Sequence, residues 1–96
     1  MSAYNILFRH EAALDLAELE AGERERILST IETLVADDPR DFGKPLSAPL
    51  KGLRRIRMGD YRIAYEVEDA RVIIWAIKPR KVVYQELEKR FLRRRD

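Results

Sequence analysis

The fourteen residues GLRRIRMGDYRIAY, at 52–65, place Arg54, Arg55, Arg57 and Arg62 around a Gly59-Asp60 pair. Four guanidiniums in so short a span suit the binding of phosphate, onto which arginine forks with paired hydrogen bonds while staying charged. Other chemistries lack their parts. One histidine, no cysteine and carboxylates that fall mostly on outer helix faces give no usable metal-ligand spacing, and no cofactor is expected. The four glycines are scattered, so no phosphate-cradling loop is present. Ser2, Ser29 and Ser47 have no histidine base within a recognisable motif, and His10, at a helix start, reads as a capping residue.

Phosphoryl transfer on RNA needs none of these groups. A 2′-hydroxyl supplied by the substrate attacks the adjacent phosphorus, while the protein holds the geometry and stabilises charge growing on the phosphoryl oxygens. A proton-transfer group is still required. Tyr84, four residues after Arg80, serves if that segment turns back beside the sheet; a tyrosine that packs one face of the last helix is the plainer reading.

The elements that must position these residues follow from periodicity. Residues 3–9 predict a strand. His10-Glu11 opens a helix with an apolar stripe of Ala13, Leu14, Leu16, Ala17 and Leu19, broken at Gly22. Ile27, Leu28, Ile31, Leu34 and Val35 mark a second helix over 23–36, stopped by Asp37-Asp38-Pro39. Residues 37–52 read as a loop. Strands follow at 53–58, 61–68 and 71–78, then a C-terminal helix and basic tail over 81–96, compatible through Val83, Leu87 and Phe91 and fraying at Arg93–Arg95. The order β-α-α-β-β-β(-α) predicts one α+β domain spanning 1–96, with a helical hairpin on one face of a small, mainly antiparallel sheet.

A two-residue connection at Gly59-Asp60 fixes register. Met58 then faces Tyr61, Arg57 faces Arg62, Ile56 faces Ile63 and Arg55 faces Ala64. Alternation sends Ile56, Met58, Tyr61, Ile63, Tyr65 and Val67 to the core face, and Arg55, Arg57 and Arg62 to the other. Directly opposed arginines cost roughly 0.2–1 kcal/mol. Nothing in the fold requires that cost, and an anion between them removes it; solvated charge on a wet face is the bland alternative. If Glu68 pairs with Arg71, then Ile73, Trp75 and Ile77 share the arginine face. Three such groups are not left bare, so either the C-terminal helix or a partner covers them.

Charge is divided unevenly along the chain. Residues 1–50 hold 5 Lys/Arg against 10 Asp/Glu, and residues 51–96 hold 14 against 7. A basic half favours a phosphate-bearing or acidic partner. The absence of cysteine fits a reducing cytoplasm, no signal peptide is recognised at the N-terminus, and no apolar run reaches the length of a membrane span.

The frame Y-N-I-x-F at 4–8, the helical hairpin, Asp-Asp-Pro, LKGLRRIRMGDYRIAYEV and KPRKVVY together resemble the RelE/ParE toxin superfamily of type II toxin-antitoxin systems. The resemblance spans about residues 4–84. In its RelE branch it implies a ribosome-dependent mRNA endonuclease restrained by a cognate RelB-like antitoxin. Operator DNA is then reached only through the antitoxin, and the membrane is not involved. By this resemblance the catalytic set is Arg55, Arg57, Arg62, Arg80 and Tyr84. Arg62 and Arg80 stabilise the transition-state phosphate; Tyr84 or Arg55/Arg57 assist proton transfer. Lys51, Arg54, Lys78 and Lys81 are expected to bind RNA. Ile73, Trp75 and Ile77, with the acidic helices, are expected to give the antitoxin its grip. Arginine stands at 55 and 57 where the family often has lysine, and Lys78-Pro79-Arg80 where it often has Gly-His-Arg, which leaves the general base open. ParE-type relatives share the fold and inhibit DNA gyrase without cutting RNA, and an inactive antitoxin-binding member is a third possibility.

Overall fold

The computed structural model describes residues 4–93. The order is β1 (Asn5–Phe8), α1 (His10–Ala17), α2 (Ala21–Ala36), α3 (Pro39–Phe42), β2 (Lys44–Pro45), β3 (Arg54–Met58), β4 (Tyr61–Glu68), β5 (Arg71–Pro79) and α4 (Val83–Arg93). One five-stranded sheet runs β1-β5-β4-β3-β2, with β1 parallel to β5 and the other pairs antiparallel. The fold is α+β, as expected. The loop over 37–52 contains the short α3 and β2, which periodicity cannot register at four and two residues.

Local chemistry explains the joints. Gly59 takes φ +58 at the first position of the β3–β4 connection, a backbone shape suited to glycine and to the right-handed twist of a tight hairpin. Asp69 takes φ +55 between β4 and β5, tolerable because its short polar side chain is among the few that visit this region. Arg24 closes the end of α1: its Nε reaches the Leu16 carbonyl at 3.2 Å, and Nη2 reaches those of Ala17 and Leu19 at 3.2 and 2.7 Å. These carbonyls lie at or just past the helix end, where backbone donors run short, so one guanidinium gathers the α1–α2 corner.

The sheet is covered on both faces. Ala12, Ile27, Ile31 and Leu34 of α1 and α2 pack on Ile56, Ile63, Tyr65, Val72, Ile74 and Ile77. On the opposite face Val83, Leu87 and Phe91 of α4 pack on Leu50, Leu53, Ala64, Trp75 and Ala76. The stripe expected on α1 is displaced: Ala12 and Asp15 are buried, whereas Ala13, Leu14 and Ala17 are exposed. His10 is exposed at the first helical position. It caps nothing, because Arg9 holds the N-cap place and no side chain bonds there.

Asp15 is the structural exception on α1. β1 pairs with β5 only as far as Phe8↔Ile74, so α1 lies beside the remaining length of β5. There Asp15 Oδ2 accepts the Ile77 N–H at 3.0 Å and Arg90 Nη1 at 2.7 Å, while Oδ1 accepts Arg90 Nη2 at 3.0 Å. Arg90 also donates to the Trp75 carbonyl at 3.1 Å. The Asp15 hydrogen bonds push the Arg90 guanidinium above its ordinary range, against the opposing pull of burial. This pair joins α4 to α1 around the edge of the sheet.

A second polar lock holds the loop. The Tyr65 hydroxyl accepts the Gly43 N–H and donates to the Pro39 carbonyl, each at 2.8 Å. Burial pushes the Tyr65 phenol up, with the Gly43 hydrogen bond and Arg54 acting against it and Asp38 adding to it. Gly43 is required here because a Cβ would lie 2.7 Å from the Tyr65 hydroxyl and 2.8 Å from the Arg55 carbonyl.

Candidate nucleic-acid interface

The hairpin register is as alternation predicts: Arg57↔Arg62, Met58↔Tyr61, Ile56↔Ile63 and Arg55↔Ala64. The next strand pair departs from simple alternation. Glu68 does pair with Arg71, but the β4–β5 register shifts between Ala64 and Tyr65, whose partners are Ala76 and Ile74. Trp75 is therefore an extra residue on β5, a bulge that reverses the facing of everything after it.

The bulge corrects the apolar patch expected at Ile73, Trp75 and Ile77. Ile77 turns to the opposite face and is buried against the helical hairpin. Trp75 stays on the α4 side but is only 1% exposed: Phe91 meets it edge-on at 5.1 Å, Arg9 lies 4.0 Å over its ring, and Nε1 donates to Glu66 at 3.0 Å. The C-terminal helix supplies the cover. Only Ile73, beside Leu7, stays partly open.

The same shift brings Lys78 opposite Arg62. Directly paired residues share a face, so Arg57, Arg62 and Lys78 form one row across three strands. Arg55, two residues from Arg57, lies on this face with Lys44 opposite it on β2. Lys44 was hidden from sequence reasoning because two-residue pairing inside a loop carries no periodic signal. Lys78 was expected to bind RNA, but its place opposite Arg62 was hidden by the bulge.

Each cation in the row meets its neighbours differently. Arg62 folds back so that Nη1 donates to the Gly59 and Tyr61 carbonyls at 3.0 and 2.8 Å. Lys78 reaches sideways, with Nζ 3.2 Å from Asp15 and 3.9 Å from Glu18. Arg57 is exposed. Arg55, Arg57 and Arg80 make no side-chain hydrogen bond or ion pair among the described residues, whereas every other described arginine has a protein partner.

The remaining expected positions divide. Arg80 is exposed just past β5, its N–H held by the Asp60 carbonyl at 2.7 Å. It lines a shallow depression of about 270 Å³ with Asp60, Pro79 and Lys81. Tyr84, 38% exposed, stands on the first turn of α4, while Val83, Leu87 and Phe91 form the buried stripe. Lys51 and Lys81 are exposed. Arg54 does not join the cationic face: alternation sends it to the other side, where Nη1 bonds the Gly43 carbonyl. Arg93 pairs with Glu11, and Arg94 and Arg95 lie outside the described residues. No cluster able to hold a metal ion occurs among the described residues, and no helix there is long and apolar enough to cross a membrane.

A family described as the ParE toxin of type II toxin-antitoxin systems, parDE, matches residues 6–84. Toxin RelE of Mycobacterium tuberculosis is 32% identical over 84 residues, covering 85% of this chain and 87% of that protein. The chain belongs to the RelE/ParE toxin superfamily. Within the superfamily it is RelE-like, a type II toxin by family. The RelE/ParE fold is also seen in structure. The toxin in a crystallised RelBE complex of M. tuberculosis is 31% identical with a TM-score of 0.61, over 80% of this chain and 98% of that one. A double mutant of the Escherichia coli toxin RelE in the free state reaches a TM-score of 0.77 over 98% of both chains; at 19% identity it speaks for the fold alone.

Proposed function

We propose that this chain is an endoribonuclease toxin that cleaves mRNA on the ribosome and is held in check by a cognate RelB-like antitoxin in the cytoplasm. The observation that carries the reading is the Arg57–Arg62–Lys78 row, flanked by Arg55 and Arg80, with the Arg55, Arg57 and Arg80 guanidiniums left without a partner among the described residues. A row of like charges is destabilising in the isolated protein, and a phosphodiester laid along it removes the repulsion.

The reaction suited to this set needs no metal. The 2′-hydroxyl of one nucleotide attacks the adjacent phosphorus, Arg62 and Arg80 take up charge on the phosphoryl oxygens, and Tyr84 acts at the 2′-hydroxyl as the proton-transfer group. Arg55 and Arg57, with Lys44, Lys51 and Lys81, grip the flanking backbone. Complexes of relatives with RelB antitoxins, in M. tuberculosis and Methanococcus jannaschii, support an antitoxin partner. Its acidic residues neutralise this face and Ile73 offers apolar contact beside it.

The test is purified protein added to ribosomes programmed with a defined mRNA, with cuts mapped by primer extension. Cleavage within the A-site codon that disappears in Arg62→Ala is expected. The match to the ParE description favours one other reading, inhibition of DNA gyrase without RNA cleavage. No cuts, together with loss of gyrase supercoiling, would establish that reading instead.

A further inference from the structure

We propose that Lys78 is the proton donor to the leaving 5′-oxygen in the cleavage reaction; the inference rests on the nuclease reading above. Breaking a phosphodiester by 2′-attack requires two proton transfers, one from the nucleophile and one to the leaving oxygen. Guanidiniums supply charge but scarcely give up a proton, so Arg55, Arg57, Arg62 and Arg80 are poor donors. An ammonium gives one readily. Lys78 is the ammonium placed by register directly opposite Arg62, within the row.

Its surroundings make it movable. Lys78 is 26% exposed and its Nζ lies against Asp15 and Glu18 of α1, with Arg62 of β4 opposite and Arg90 of α4 bound to the same Asp15 carboxylate. When Lys78 swings away, Asp15 keeps two hydrogen bonds from Arg90 and one from the Ile77 N–H. No buried carboxylate is orphaned, so the departure costs little. A phosphate bound along the row draws the ammonium inward. Lys44 is also an ammonium on this face, but it lies opposite Arg55 at the sheet edge, with β3 and β4 between it and Lys78's strand.

The step balances as follows. The 2′-hydroxyl loses its proton to the base, the 2′-O–P bond forms, and the P–O5′ bond breaks with its electron pair on O5′. The Lys78 ammonium protonates that oxygen and becomes an amine, which solvent reprotonates. The products are a 2′,3′-cyclic phosphate and a free 5′-hydroxyl.

Programmed ribosomes carrying either ordinary mRNA or mRNA with sulfur replacing O5′ at the mapped scissile linkage provide the test, because a thiolate leaves without a proton. Lys78→Arg and Lys78→Met should slow cleavage of the oxygen substrate about 100-fold or more, yet cut the sulfur substrate within about 10-fold of the unsubstituted protein. Arg62→Ala should be slow on both, and Lys44→Met should show no rescue by sulfur. Thermal unfolding of each variant checks that the fold persists. Full activity of the Lys78 variants on the oxygen substrate, or equal loss on both substrates, overturns the assignment and leaves the nuclease reading standing. An unsubstituted protein that cuts neither substrate overturns both.

Discussion

Arg90 and Arg57 sit on the same side of one sheet, and the fold treats them in opposite ways. Arg90, 6% exposed, has its charge answered by Asp15 and serves to fasten α4 to α1. Arg57 is exposed, faces a like charge, and has no side-chain partner among the described residues. A guanidinium whose charge is answered within the protein is part of the architecture. One left open beside another cation is available to an anion from outside. The difference separates fold from function without reference to residue type.

The sharpest way to break that comparison is to remove the open set. Arg57→Ala combined with Arg62→Ala should lower mRNA cleavage by about 10³-fold or more, equivalent to about 4 kcal/mol of transition-state stabilisation. The unfolding transition should remain near that of the parent. A fully toxic double mutant would place the site elsewhere.

Removing the answering charge should do the reverse. Asp15→Ala takes the paired hydrogen bonds from a buried guanidinium, leaving it Glu86 and Glu11 at 3.6 and 4.0 Å, and unpairs the Ile77 N–H; it should cost about 3–5 kcal/mol in urea unfolding. Adding Arg90→Met should recover part of that loss, since a methionine leaves no buried charge. A smaller effect is expected at the second polar lock. Tyr65→Phe leaves the Gly43 N–H and the Pro39 carbonyl without their partner, at a cost of about 1–3 kcal/mol.

Tyr65 also carries a pH signature. Its phenol is pushed up by burial in the folded state, so the folded form holds the proton more tightly than the unfolded one. That contribution is complete below the ordinary tyrosine value of about 10 and is lost as pH rises from there through the higher folded value. Unfolding midpoints followed into alkali should fall more steeply for the parent than for Tyr65→Phe. The smallest expected change is in salt dependence: Arg57→Ala should flatten the slope of log affinity for single-stranded RNA against log salt by about 0.7.

How much of this was legible in the sequence varies with the range of the interaction. The β3–β4 register was readable because a two-residue turn around Gly59 is a local event that fixes every pair after it. The exposed arginine face followed from it by alternation. The β4–β5 register was not readable, because a bulge at Trp75 depends on how the indole is accommodated between Phe91, Arg9 and Glu66, groups far apart in the chain. One inserted residue sent Ile77 inward and brought Lys78 to the basic face. Asp15 was likewise invisible. A lone aspartate among alanines and leucines reads as surface until a partner 75 positions away, Arg90, is found beside it.

Asp15 also acts on what lies outside the molecule. Past Ile74, β5 has no strand beside it on the β1 side among the described residues, and a bare strand edge is a template on which the strand of another copy can lie. The aspartate fills one place in that row by taking the Ile77 N–H, and α1 lies across the rest. Losing the carboxylate therefore frees an edge at the same moment that it loosens the helix guarding it. Such a variant faces an orderly hazard beside unfolding, copies adding strand by strand.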